Sequence, residues 1–477
     1  MRIYLMVDFG STYTKVTAVD LEKELVLGRA QSPTTIETDI NIGLNAALTS
    51  LYETCAFSQA DICGQYACSS AAGGLKMAAI GLVPDLTLKA AQRAALGAGA
   101  KVVSAHGFEI DSEIVREIEE KHCDIVLLCG GTDGGNKHVI VHNAKMLAAS
   151  DVSCPILVCG NRSAAEEVRR ILEDKKKRVY VTKNVLPTVE RVDVEPAQAL
   201  IREVFIAHIV KAKGLDKAQS LFQNDIIPTP RASLNAATLL ADGTPDEAGI
   251  GSLLVVEVGG ATTNIHSVED VKPATAHTVM RGLPEARVSR TVEGDLGIRY
   301  NARTIYDFVG ESRLADIVTS LNPSVPADEI DSDLYTRTLN EHVDRIPQND
   351  TEAFLDIALA KAAVNIAVER HAGSLRKEFS VMGEIDIQYG KNFMEVKNIV
   401  GTGGIFKYGR EPKAVLEAAL FSPENPWSLK PQAPRAFIDG DYLFYAMGLL
   451  SQAFPNEALR IAKKHLQPAE LTLPRIS

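Results

Sequence analysis

The chain is short of aromatic residues, with a single tryptophan, yet nearly half of its 477 residues are hydrophobic. Its apolar content therefore lies in Ala, Val, Ile and Leu, a balance that favours layered α/β structure. Such a length is too great for one compact core and implies two to four subdomains. Positive charge is also scarce: 50 Lys and Arg against 61 Asp and Glu leave a net −11. That argues against a nucleic-acid surface, which needs a concentrated positive field. The one basic run, KKKR at 175–178, sits beside acidic residues and reads as a solvated helix end. No apolar run approaches the ~20 residues that span a bilayer. The opening MRIYLMV meets Asp8 too early for a signal-peptide core. Neither nucleic acid nor membrane is therefore expected as a partner. Seven cysteines, an odd number without such a signal, point to reduced thiols and a cytoplasmic setting. Cys154 and Cys159 lack a second Cys or His cluster at ligand spacing, so they read as buried thiols rather than zinc ligands.

What is present is a repeated junction: a short apolar strand, a glycine turn, then a second strand or a helix. IYLMV (3–7) runs into DFGST, and TKVTAV (14–19) resumes a β pattern, which predicts a hairpin. SLLVVEVGGATTNIHSV (252–268) repeats that design, and the two openings suggest an ancient duplication. Between them, helices are expected at 40–52 and 110–121, the latter from Ile110, Ile114 and Ile118 at four-residue spacing. DIVLLC (124–129), opening into GGTDGGN (130–136), and PILVCGN (155–161) alternate with helical stretches and predict parallel sheet over 122–190. Residues 190–222 look helical. The Pro- and Gly-rich stretch 223–250 marks a lobe boundary, dividing the chain into 1–245 and 246–477. Residues 355–368 read as a core helix, and EVKNIVGTGG (395–404) leads through a turn into a helix at 412–420.

Each junction has a chemical reading. In DFGSTYTK (8–15), Gly10 clears the approach of phosphate oxygens to backbone N–H groups, while Ser11 and Thr12 add hydroxyl donors. Asp8 is placed to hold Mg²⁺ through water, because hard cations prefer carboxylate oxygen. Lys15 is placed to neutralise the outer phosphates. The segment is not a P-loop, since GxxxxGK[ST] is absent. VVEVGGATTNI supplies the matching jaw, with Glu257 at the strand end and Gly259, Gly260 and Thr262 in the turn. Two such hairpins would clamp a triphosphate from both sides, and phosphoryl transfer needs mainly positioning and charge neutralisation. Asp133 in GGTDGGN would orient water or ligate metal, or merely shape its turn. Gly401, Gly403 and Gly404 of GTGG would let a base and ribose lie against backbone.

In this order the three segments resemble the actin, sugar-kinase and heat-shock-chaperone ATPase superfamily: phosphate-one hairpin, phosphate-two hairpin, adenosine loop. DFGSTYTK, CSSAAGGLK (68–76), ALGAGAK (95–101), GGTDGGN, EVGGATT and IDGDY…AMGLL (438–450) carry a closer resemblance through most of the chain. Together they look like the accessory-protein family of adenosylcobalamin-dependent glutamate mutase, the MutL/GlmL family. The resemblance implies an α/β, duplicated ribonuclease H-like (actin-like ATPase) two-lobe fold with a nucleotide cleft. It implies ATP and Mg²⁺ as cofactors, and a cobalamin-dependent mutase, glutamate mutase or a related aminomutase, as partner. Asp8, Asp133 and Glu257 would serve catalysis, with Asp8 as the metal residue. Gly10, Ser11, Thr12, Lys15, Gly259, Gly260, Thr262, Gly401, Gly403 and Gly404 would hold nucleotide. One departure stands out: the superfamily's second hairpin usually opens with Asp, and Glu257 is one methylene longer.

The expected function is therefore an ATP-dependent reactivating factor that promotes release of damaged cobalamin from its mutase. Two alternatives use the same cleft. A small-molecule kinase would need a general base near the γ-phosphate and would show substrate-stimulated turnover. A filament-forming protein would sediment in a nucleotide-dependent way.

Overall fold

The apolar run Ile3–Phe9 is buried on both faces, the environment of a strand inside a layered sheet. In the computed structural model, which describes every residue except 36–37, 71–74, 99, 206–218, 327–328, 381–382 and 474–477, this run is β1. It turns tightly into β2 (Tyr13–Asp20), which pairs antiparallel with β3 (Leu25–Pro33). On its other side β1 is joined by parallel β4 (Ile62–Ser69) and then β10 (Ile227–Pro228).

A second sheet is built the same way. β11 (Leu253–Val258), β12 (Thr263–Val268) and β14 (Val288–Glu293) run antiparallel in sequence. β17 (Asn398–Gly403) and β18 (Arg435–Ile438) continue parallel to β11, and β19 (Gln467–Ala469) adds an edge. The orders β3-β2-β1-β4-β10 and β14-β12-β11-β17-β18 match strand for strand and direction for direction. The duplication suggested at residues 3 and 252 is thus a duplication of topology, and the fold is the two-lobe ribonuclease H-like, actin-like one.

Between β4 and β10 the chain builds a third sheet. It holds β5 (Leu75–Ile80), β6 (Ala100–His106), β7 (Ile125–Leu128), β8 (Ile156–Val158) and β9 (Val179–Val181), in the order β6-β5-β7-β8-β9 and all parallel. The α/β segment expected at 122–190 is the latter part of this sheet, which already begins at Leu75. A small fourth sheet pairs β13 (Val279–Arg281), β16 (Gly383–Tyr389) and β15 (Ser374–Ser380), in that order. The helix expected at 190–222 is observed over Glu195–Val204, and its 206–218 part lies outside the described residues. A short helix, Gly404–Tyr408, fills the turn expected before the helix Pro412–Glu417.

The two ribonuclease H-like sheets share one helical layer. Tyr4 and Met6 of β1 and Leu253 and Val255 of β11 bury their side chains against helices Thr229–Asp242 and Phe444–Leu450. The opposite faces pack elsewhere: Ile3, Leu5 and Val7 against helix Ile40–Thr54, and Leu254 and Val256 against the long helix Asp350–His371. That long helix is capped by Asn349, whose side chain accepts from Glu352 N, and it begins on acids and ends on Arg370 and His371, as its dipole favours. In the shared layer the two helices approach so closely that a Cβ on Gly448 would fall 1.8 Å from the Ala232 carbonyl oxygen. This explains the glycine of AMGLL. Gly448→Ala should force the helices apart and cost about 1–3 kcal/mol, read as a lower urea midpoint. An unchanged midpoint would mean that the helix crossing is not tight in solution.

Candidate active site

Strand alternation decides where the acids point. Tyr4, Met6 and Asp8 share the face of β1 turned to the central helices, and Leu253, Val255 and Glu257 share the corresponding face of β11. Each sheet therefore delivers one carboxylate, at the end of its middle strand, to the same helix, Thr229–Asp242. Thr229 Oγ1 donates to Asp8 Oδ1 at 2.7 Å, and Ser233 Oγ donates to Glu257 Oε1 at 3.1 Å. Four residues apart, the two hydroxyls lie on one helical face.

Asp8 is 1% exposed. Cross-strand pairing sets Lys15 opposite it, and Lys15 Nζ donates to Asp8 Oδ2 at 2.8 Å. Burial by itself would lower the Lys15 pKa, but the Asp8 carboxylate and the Tyr442 hydroxyl hold it well above its ordinary value. Tyr442, in a left-handed backbone conformation on the IDGDY loop, lays its ring 4.7 Å from Lys15 Nζ. Burial pushes its own hydroxyl up to about 12. The turn itself is closed by Gly10 N donating to Tyr13 O, and a Cβ on Gly10 would meet that oxygen at 2.6 Å.

Glu257 is 6% exposed and accepts three hydrogen bonds, from Ser233, from Asn264 Nδ2 at 3.0 Å and from His266 Nε2 at 3.1 Å. Burial would raise its carboxyl, but these donors outweigh it and hold the group below its ordinary value. Burial likewise keeps His266 neutral, its pKa lowered. The second turn mirrors the first, with Gly259 N donating to Thr262 O at 2.9 Å. The tips meet: a Cβ on Gly260 would lie 3.7 Å from Thr12 Oγ1.

Asp8, Gly10, Ser11, Thr12, Lys15, Glu257, Gly259, Gly260, Thr262 and Gly404 all line a single cavity of about 1510 Å³. Gly401 and Gly403 do not line it. They sit under the Phe406 ring and the Val258 carbonyl, where a Cβ would come within 2.3 Å and 2.2 Å, and so they seat the GTGG loop against its neighbours. That loop is tied to the central helices by Asp439, which accepts from Thr402 Oγ1 at 2.8 Å and from the backbone N–H groups of Leu443 and Phe444 at 2.9 Å. Asp133 does not line the cavity either. It lies on the loop after β7, where its carboxylate accepts from Arg162 N at 2.9 Å and Asn184 Nδ2 at 3.0 Å.

Sequence reasoning missed Thr229, Ser233, Tyr442, Arg299 and Asp356. Arg299 lines the cavity, donates its backbone N–H to Gly260 O at 2.9 Å and forms a two-bond fork with Asp356 at 3.0 and 2.6 Å. Tyr442 had a signal, standing within a quoted motif. Thr229 stood between two prolines in a stretch that composition marks as a boundary.

Residues 4–466 match the family described as MutL protein. The chain is 44% identical over 466 residues to a protein of Clostridium tetanomorphum named Protein MutL, covering 98% of this chain and 99% of that one. Solved structures align far more distantly. A xylulose kinase from Lactobacillus acidophilus shares 12% identity over 100% of this chain and 94% of its own, with a TM-score of 0.38. The activator of the 2-hydroxyisocaproyl-CoA dehydratase from Clostridium difficile, with bound ADPNP, shares 10% over 97% of each chain, with a TM-score of 0.32. Likeness of that degree carries no argument, and the site stands on its own geometry.

The Glu257–His266 contact predicts a pH dependence. The unfolded chain takes up a proton on His266 below its ordinary 6.5, and the folded protein resists it. Stability present above that pH is therefore lost as pH falls below it. Glu257, with a lowered folded value, loses its contribution further down, below 4.5. Urea midpoints should drop from pH 7 to pH 5, and His266→Gln should flatten that drop. An unaltered slope in this variant would assign the pH dependence to other groups.

Proposed function

The chain belongs to the MutL protein family, and from that premise we propose that it is a chaperone-like ATPase acting on an adenosylcobalamin-dependent mutase. The client would be glutamate mutase or a related aminomutase, and the act a nucleotide-driven release of damaged cobalamin so that intact cofactor can enter. The observation that carries the reading is the meeting of two glycine turns, each preceded by a buried carboxylate, across one cavity. Residues 1–245 would form one lobe and 246–477 the other, with ATP binding drawing them together and hydrolysis releasing them in a cytoplasmic setting. Nucleotide state would then bias partner affinity, as linkage requires.

The donor set fits a magnesium ion held mainly by phosphate. Among the described residues no three His, Cys, Asp or Glu side chains come together as a ready-made metal cage. Mg²⁺ instead retains several waters and takes one or two protein carboxylates. Asp8 and Glu257, from facing hairpins, would receive those waters, and the ion would neutralise charge developing between the outer phosphates. Lys15, kept protonated beside Asp8, would add a second cation on the same side. Backbone N–H groups of both turns would orient the phosphates. Ile346 and Tyr408, both exposed, line the same cavity and would offer apolar surface to a flat base. Among the described residues no helix is long and apolar enough to cross a membrane.

A kinase in the same cleft would need a general base beside the terminal phosphate. Asp133, expected to orient water, ligate metal or shape its turn, lies on the loop after β7, outside the cavity lining, with its carboxylate engaged in holding that loop.

Two measurements test the proposal. Asp8→Asn should lower Mg·ATP turnover by at least about a hundredfold while circular dichroism stays that of the native fold. Turnover equal to wild type would remove Asp8 from the site. Glutamate mutase inactivated with cyanocobalamin should regain activity when given this protein, Mg·ATP and fresh adenosylcobalamin. No recovery, with aminomutases tried as well, would rule out the client class.

A further inference from the structure

Two motifs remain outside the functions assigned above: CSSAAGGLK and ALGAGAK both end in lysine. The structure brings those ends together. Lys76 on β5 and Lys101 on β6 are direct partners in a parallel pair, so their side chains leave the third sheet on the same side, next to each other. Both line the cavity that holds the two glycine turns.

Lys101 is held in place by construction. Its Nζ donates to the Gly294 carbonyl oxygen at 2.8 Å. Its stem crosses Gly294 so closely that a Cβ there would fall 1.6 Å from Lys101 Cε, so any larger residue would displace the lysine. With its amide oriented to donate, Asn301 Nδ2 reaches the same Gly294 oxygen at 3.0 Å and the Ala261 oxygen at 3.2 Å. Ala261 belongs to the second glycine turn. A short polar chain thus runs from Lys101 through Gly294 and Asn301 to the turn that would grip phosphate. The lysine is also uncomfortable where it is: burial lowers its pKa first, and the neighbouring Lys76 lowers it further, with Asp295 opposing in part. Two adjacent ammonium groups, one of them partly desolvated and facing a cavity, are stabilised by an anion placed between them. The cavity has room for one, since about 1510 Å³ exceeds the ~300–1,000 Å³ usual for small-molecule sites.

We propose that Lys76 and Lys101 form an anion site, supplied by the third sheet, that receives the terminal phosphate of a bound nucleoside triphosphate. This rests on the nucleotide reading of the cleft and adds to it a means of telling triphosphate from diphosphate. The two hairpins supply donors to every phosphate they cradle, whereas the lysine pair approaches from the third sheet and meets only the outermost group. A diphosphate leaves the pair unmatched.

The test is calorimetric titration with the non-hydrolysable imido analogue of ATP and with ADP, both with Mg²⁺. Lys76→Met and Lys101→Met are each expected to weaken binding of the triphosphate analogue about tenfold and to leave ADP within about twofold. Lys76 is only half-buried, so its variant decides the matter if Lys101→Met fails to fold. Equal losses for both nucleotides, or undiminished triphosphate binding in Lys76→Met, would overturn the inference alone. A wild-type protein that binds neither nucleotide would overturn the proposed function along with it.

Discussion

One turn of one helix holds both acids of the cleft. Thr229 and Ser233, four residues apart on helix Thr229–Asp242, donate to Asp8 of the first ribonuclease H-like sheet and to Glu257 of the second. The two hairpins are separated by more than two hundred residues of chain, and nothing local in either one relates them. The helix does so because it lies in the layer both sheets share. Deleting either hydroxyl would leave a buried carboxylate short of a donor, a loss in the range of 1–3 kcal/mol or more for a charged group. The constraint is geometric as well as energetic. With both acids referenced to one rigid element, the distance between the hairpins is set by helix geometry rather than by loop conformation.

Polar groups behind the acids follow from the same arrangement. Glu257, Asn264, His266 and Arg290 form a cross-strand row on the face of the second sheet turned to the central helices. Arg290 is buried, makes no hydrogen bond from its guanidinium, and is lowered to about 9, first by burial and then by Arg231, with Glu257 opposing. A buried cation of this kind is tolerable only near negative charge. Glu257 supplies that charge, and its three hydrogen-bond donors keep it ionised. The extra methylene relative to the superfamily's usual Asp accompanies a carboxylate that reaches into this row as well as into the cavity.

What could be read from the sequence was local. Continuous apolar runs at 3–7 and 253–256 announced buried strands, the glycines after Asp8 and Glu257 announced tight turns, and the repeat of that pattern announced the duplicated topology. Helix periodicity at 355–368 fell inside the long core helix Asp350–His371, five residues short of its start and three short of its end. The rest depended on contacts with no local trace. Thr229 sits in a stretch whose prolines say only that regular structure is interrupted, yet Pro228 and Pro230 flank the start of the very helix that organises the site. GTGG looked like a ligand surface, but two of its glycines are small because Phe406 and Val258 pass over them. GGTDGGN had the composition of a catalytic loop, but composition does not reveal which end of which sheet a loop occupies. Small residues serve ligands and packing alike, and only the neighbours distinguish the two.

The cleft therefore has two sides of different physical character. On the side of the shared layer, helices Thr229–Asp242 and Phe444–Leu450 cross at a glycine contact among buried apolar side chains, a junction that deforms only at the cost of packing. On the open side the third sheet meets the second lobe through polar contacts: Lys101 to the Gly294 carbonyl, and Arg93 to Glu285 at 2.6 Å with Lys89 at 3.8 Å from the same carboxylate. Contacts of this second kind can be exchanged for water or for a ligand's charge with little net change in free energy. A bound anion would compete for them directly, whereas it would have no purchase on the apolar helix crossing. Differential affinity is the only means by which a ligand shifts a conformational balance. A nucleotide bound as proposed would exert it at that polar rim, where the third sheet meets the second lobe, rather than at the apolar helix crossing.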